Sequence, residues 1–449
     1  MTLKSLNTRR VNSIRKITMM AVGLLVGAVS LLSLTCWSAE ATGFSRHSAE
    51  ANHSIPAQTP QSHYSLVASL FDNDQKLTAS DGEAFDLFGR PVAVSGSTIV
   101  VGAPFDNIGA NDNQGSAYVF NRQGGSWVET QKLTASDGAT FDLFGLSVAI
   151  SGSTIVVGSE GDDIGGNLEQ GSAYVFRRQG GSWIETQKLT VSDGASGDSF
   201  GSSVAVSGST IVVAAILGDV GANQDQGSAH VFDLHGGSWV ETQRLTASDG
   251  ATFDQFGTSI AVSGSTIVVG APFAEIGPTF EEGAAYVFNH QGGSWVETQK
   301  LIVSDPGVFD LFGQSVAVSG SIIVVGRPIG GNFDQGSAHV FSRQGQTWVE
   351  TQKLTASDGA EIDFFGWSVA ASGSKVVVGA PFGGTVDEGS AYVFNHQGGS
   401  WVETQRLTAS EREEGDEFGD SVAVSGSTVV VGAPFGGNFN QGAAYVFGP

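Results

Sequence analysis

The chain has 449 residues, a formal net charge of −24 at pH 7, 63 glycines against 11 prolines, and a composition that is 40% apolar and 15% charged. So acidic a chain repels phosphate backbones and anionic headgroups, which excludes nucleic acid and peripheral membrane binding and favours cations and basic partners. The apolar, glycine-rich makeup excludes a disordered chain and suits many short strands joined by tight turns.

In chain order, the first element reads as an export signal. Lys4, Arg9, Arg10, Arg15 and Lys16 precede an apolar run from Ile17 to Leu34, and the small-residue site Ala39-Glu40-Ala41 follows. Residues 1–41 are therefore expected to be a signal peptide and 42–63 a linker, with the protein secreted or held at the cell envelope or surface. The alternative is a retained anchor, since the apolar run is about as long as the ~18 residues that nearly span a bilayer. The one cysteine, Cys36, falls in the segment to be removed, so disulfides and thiol chemistry have no part in the mature chain.

Residues 64–449 are expected to form one domain, in which one unit recurs seven times from residue 75 to 449. A Phe-Gly pair marks it at Phe88, Phe144, Phe200, Phe256, Phe312, Phe365 and Phe418, with spacings of 56 residues and then, for the last two, 53. Each copy carries four apolar runs, typified by SVAV, STIVVGAP, GSAYVF and WVETQKLT, with Gly, Ser, Asn and Asp between them. Four strands per copy, seven copies and no capping repeat predict an all-β, seven-bladed β-propeller of four-stranded blades. VAV supplies the small residues a crowded innermost strand needs, and IVV is apolar on both faces, as a strand sandwiched between blades must be. Ser-Gly predicts a tight hairpin between the first two strands, and Gln-Gly-Gly a slightly longer one between the third and fourth. The last copy stops at Phe447 without its fourth run, while an orphan QKLTASDG stands at Gln75–Gly82. Residues 65–78 are thus expected to complete the seventh blade and close the ring.

Phe88-Gly89 followed by Gly102-Ala103-Pro104 resembles the FG-GAP repeat found at the head of integrin α chains and in bacterial relatives. Gly270-Ala271-Pro272, Gly379-Ala380-Pro381 and Gly432-Ala433-Pro434 repeat the pattern, whereas Gly158-Ser159-Glu160, Ala214-Ala215-Ile216 and Gly326-Arg327-Pro328 depart from it. The resemblance implies a seven-bladed propeller used for extracellular recognition. The family's calcium loop has no counterpart here, because a two-residue Ser-Gly turn cannot supply the oxygens that calcium requires. No residue is assigned to a metal and no cofactor is expected, and only the acidic loops leave calcium open.

The strand order sends the fourth-to-first and second-to-third loops to one face, where binding residues are expected. The longer loops of copies one to four bring Asp106, Asp112, Asp162, Asp163, Asp219, Asp225, Glu275 and Glu281, candidates for a cation or a basic partner, or else plain loop-solvating and turn-capping carboxylates. The Asp two residues before each Phe-Gly, from Asp86 to Asp416, reads as a turn former bonding backbone N–H groups. The residue after Phe-Gly varies (Arg90, Leu146, Ser202, Thr258, Gln314, Trp367, Asp420) and is expected to ring the channel mouth, with Arg90 and Trp367 as the candidate anchors. No nucleophile, base and orienting acid recur at a useful spacing. The expected function is a non-catalytic binding or adhesion module for an extracellular protein or glycan. A secreted glycan-active hydrolase and a purely structural envelope or matrix component are the alternatives.

Overall fold

The computed structural model describes residues 74–448 except 277–281, 306, 331–334, 385–387, 412, 438 and 439, so the signal peptide, the linker and residues 65–73 lie outside the described residues. Among the described residues twenty-eight strands follow one another and form seven four-stranded antiparallel sheets, the blades of a β-propeller. The first complete blade runs β2 (Val92–Ser95), β3 (Thr98–Ala103), β4 (Ser116–Gln123), β5 (Ser126–Leu133). Its inner strand β2 neighbours the inner strands of the blades on either side.

Closure is as the sequence predicts. β1 (Gln75–Leu77) pairs antiparallel with β28 (Ala443–Phe447), placing Gln75 opposite Val446 and Leu77 opposite Ala444. β1 thus becomes the outer strand of a sheet whose other members come from the far end of the chain. Ser421 Oγ also donates to the Gly89 carbonyl (2.8 Å), and Lys76 Nζ meets Glu411 at 2.8 Å.

Both hairpins of a blade prove to be two-residue turns. Gly96 has φ +58 at the first turn position, which suits type II′, and Gly124 and Gly125 have φ +57 and +96, which suits type I′. The second turn is therefore as short as the first, a correction to the longer one expected, because two successive glycines supply both left-handed positions.

The core sits between blades. One cluster joins Val100, Ala117, Val119 and Leu133 of one blade to Phe144, Ile155, Val157 and Tyr174 of the next. Phe144 is fully buried, and its ring meets Tyr174 edge-on at 5.4 Å and Phe176 at 6.0 Å. The glycines of the repeat mark where neighbouring backbones touch. A Cβ on Gly102 would come within 2.0 Å of the Gly145 carbonyl in the next blade, and one on Gly145 (φ +97) within 2.1 Å of the Ser116 carbonyl.

Outer strands are clamped to each other as well. Gln131 donates to the Trp183 carbonyl (2.7 Å) and accepts from its N–H (2.8 Å), and the same two-way bond joins Gln243 to Trp295 and Gln352 to Trp401. An amide is the side chain that can give and take at once with the N–H and C=O of one residue.

Candidate ligand-binding face

The second-to-third loop of one blade is stitched to the fourth-to-first loop entering the next. Phe141 N–H donates to the Asp112 carbonyl (2.9 Å) and Phe144 N–H to that of Gln114 (2.8 Å). The two loop sets do share one face, and at its centre stand the inner-strand ends.

The Asp preceding each Phe-Gly turns its carboxylate back on the chain. Asp86, Asp142, Asp198, Asp254, Asp310, Asp363 and Asp416 each accept a backbone N–H three residues earlier. Burial pushes Asp86, Asp142 and Asp254 up to about 6, against the pull of that N–H.

The long-loop carboxylates divide by environment. Asp106 is buried and receives Ser116 Oγ (2.5 Å), Tyr118 Oη (3.0 Å) and Lys132 Nζ (2.7 Å). Asp162 repeats the set with Ser172, Tyr174 and Lys188. Burial alone would lower the Lys132 pKa, but Asp106 and Asp81 hold it above the usual lysine range. Asp163 and Asp219 accept the N–H groups of Glu169 (2.8 Å) and Asp225 (3.0 Å), closing their own loops. Asp225 takes a left-handed backbone (φ +50), Asp112 and Glu275 stand exposed or nearly so at loop tips, and Glu281 lies outside the described residues. Of the seven described, Asp106 and Asp162 therefore point inside blades, and the other five are spread over four different loops. Among the described residues no three His, Cys, Asp or Glu side chains gather as a metal-holding group.

Two of the positions after Phe-Gly meet instead. Trp367 Nε1 donates to Asp420 Oδ1 (3.1 Å), and its ring stacks on Phe364 at 6.3 Å with an interplanar angle of 17°. Phe364 meets Phe382 edge-on at 5.3 Å. Arg90 lies over the Phe105 ring at 5.9 Å, a cation–π distance. Its charge reaches three carboxyls from other blades: Glu160, Glu417 and Asp420. Burial pushes Glu160 up to about 7 and Asp420 to about 6, while burial and then the like charge of Asp420 push Glu417 to about 8, Arg90 opposing in every case. A partly buried cluster with a cation, acids whose charged forms burial disfavours and an aromatic wall offers a polar ligand both donors and acceptors.

Glu160 and Glu417 escape a motif-by-motif reading. Glu160 takes the place of the proline in Gly-Ala-Pro and Glu417 that of a leucine before Phe-Gly, so each looks like decay of its own repeat. The usable signal was that both replace an apolar residue by an acid next to a channel-facing position.

Two relays of the Ser-His-acid type were also missed. Ser228 Oγ is 3.1 Å from His230 Nε2, whose Nδ1 is 2.7 Å from Glu241, and Ser337, His339 and Glu350 repeat this at 3.0 and 2.8 Å. His-for-Tyr two residues after a Ser was the available sign. Both serines and both histidines are buried between blades, where no substrate carbonyl can reach the hydroxyl, and a nucleophile needs that access. They hold blades in place of the Tyr118–Asp106 contacts.

A family model described as FG-GAP repeat matches residues 71–120, 127–176, 183–232, 239–288, 295–341, 348–394 and 401–447. Each matched unit after the first begins in the outer strand of one blade and ends in the third strand of the next, the same offset that makes β1 complete the last blade. No curated protein matches the chain.

Proposed function

The chain belongs to the FG-GAP repeat family, and on that premise we propose that it is a non-catalytic binding module, secreted or held at the cell surface, that captures an extracellular protein or glycan on its loop face. One observation carries this. Trp367 bonds Asp420, and the charge of Arg90 acts on Glu160, Glu417 and Asp420, so residues of four different blades are coupled, whereas Asp106, Asp162, Asp163 and Asp219 are engaged within their own loops or blades. Residues that vary where the repeat is otherwise uniform, and that are sunk in a rigid concave centre, have the character of a ligand anchor.

The long-loop residues Asp112, Asp163, Asp219, Asp225 and Glu275 lie on the same face and add to the negative sign that an approaching partner meets. Burial of both Ser-His-acid relays supports binding without turnover. The test is to probe glycan and secreted-protein arrays with the full chain and recover whatever is retained. A retained ligand recovered chemically unchanged supports the proposal, and a ligand released in cleaved form, or arrays that stay blank, would sink it.

A further inference from the structure

A second feature of the loop face is apolar. The third residue before each Phe-Gly Phe has positive φ in every blade: Phe85 (+71), Phe141 (+69), Gly197 (+83), Phe253 (+71), Phe309 (+64), Ile362 (+69) and Gly415 (+80). Glycine takes this backbone freely, as it does in two blades, while a bulky or β-branched residue there is a genuine outlier. Yet five blades keep a Phe or Ile, and Phe85, Phe141, Phe253 and Ile362 point into solvent at 61%, 43%, 55% and 57% exposure. Neither folding nor burial accounts for a strained, exposed aromatic that glycine replaces elsewhere in the same ring.

The exception is as informative as the rule. Where the Phe becomes Gly197, its N–H donates to the carbonyl of Leu168 (2.9 Å), and Leu168 is exposed at 63%. The same bond in the preceding junction runs from Phe141 to Asp112. The apolar side chain has moved across the hydrogen bond and the crown is kept there, while Gly415 interrupts it and Phe309 is only partly exposed.

Four of the five members stand beside an exposed acid: Glu83 near Phe85, Asp112 at Phe141, Glu169 after Leu168 and Glu361 before Ile362. The cations reaching this face from the outer strands are held already, Lys132 by Asp81, Lys188 by Asp137, Lys300 by Asp249 and Arg406 by Asp358. The crown therefore presents apolar side chains in a field of uncompensated negative charge, and its complement alternates apolar with basic groups.

We propose that this crown docks a cationic amphipathic polypeptide segment of a partner protein, its apolar residues seated on Phe85, Phe141, Leu168, Phe253 and Ile362 and its Lys or Arg on the flanking carboxylates. The inference rests on the loop face being the binding face, and it uses the rim rather than the channel mouth. A fluorescent synthetic peptide alternating Lys and Leu is titrated into the full chain and followed by anisotropy at low and moderate salt. Controls are peptides with Leu replaced by Ser and with Lys replaced by Glu. The variant combines Phe85→Gly, Phe141→Gly and Phe253→Gly.

The expected result is about tenfold weaker binding by the variant, as for loss of anchor residues, together with a raised denaturation midpoint, because glycine relieves the strained backbone. That pairing of weaker binding with higher stability is what a purely structural role would not produce. Unchanged affinity in the variant, or equal affinity for the Ser-containing peptide, overturns the proposal. So does concentration-dependent self-association that the three substitutions abolish, which would make a second copy the occupant. Arg90→Ala and Trp367→Ala leave crown binding intact, so loss of the channel-mouth site is told apart from loss of this one.

Discussion

Replacing Gly145 by Ala and, separately, Gly152 by Ala tests the reason for the repeat's glycines. Both lie in one blade and both have positive φ, +97 and +59. Around Gly152 a Cβ meets nothing within 4 Å, so the substitution carries only the left-handed backbone penalty of about 1 kcal/mol. At Gly145 the new Cβ would lie 2.1 Å from the Ser116 carbonyl oxygen and 3.4 Å from Ala103 N, both main-chain atoms of the adjacent blade. Neither can rotate away, so blades 1 and 2 must separate, and a backbone outlier of ~1–3 kcal/mol is added to a loss of packing around Phe144. The combined cost is about 4 kcal/mol or more, in the range reserved for specific structural damage. Urea unfolding followed by tryptophan fluorescence reads both variants as midpoint shifts at constant slope. Similar shifts for the two would refute the argument that the Phe-Gly glycine is required by inter-blade contact.

Three further outcomes follow from the same geometry. Gln243→Leu removes both bonds to Trp295 and leaves its N–H and carbonyl without those partners, so stability falls by about 2 kcal/mol in the same unfolding assay. Asp142→Asn bears on pH: the folded pKa of Asp142 is raised from 3.8 to about 6, so its stabilising contribution is complete below pH 4 and is lost as pH rises through 6. Relative to wild type the Asn variant therefore gains on the order of 2–3 kcal/mol between pH 4 and 7, and a parallel pH dependence of the two midpoints would contradict this. For Trp367, whose indole N–H is held by Asp420, the fluorescence difference between wild type and Trp367→Phe should titrate with a midpoint of about 6, and a flat difference would remove Asp420 from the mouth.

Repetition explains how much of this was legible. Seven Phe-Gly marks, four apolar runs per mark and complementary ends at Gln75 and Phe447 leave one closed arrangement, because an exposed outer edge and an orphan strand satisfy each other. The turn role of Asp86 and its counterparts was readable because a residue needed in every blade serves the blade. Asp106 and Asp162 looked like their neighbours Asp112 and Asp163 in the loop, yet they point inward. What separates them is a Tyr hydroxyl and a Lys ammonium arriving from other strands, and a strand register is needed to see that. The channel cluster was half legible: Arg90, Trp367 and Asp420 share a repeat position, but Glu160 and Glu417 occupy two other positions, and blade packing for Glu160 and ring closure for Glu417 bring them within the field of Arg90. The apolar crown was hidden by a different physics, since a Phe among Gly and Asp suggests a buried anchor until its φ and exposure are known.

The most direct test of the central claim is the affinity of an array-selected ligand for wild type, for the double variant Arg90→Ala with Trp367→Ala, and for Arg177→Ala with Arg178→Ala near the hairpin turns. Binding at the channel mouth predicts at least about a tenfold loss in the first variant and none in the second. Equal affinity across all three would place the ligand elsewhere and contradict the account.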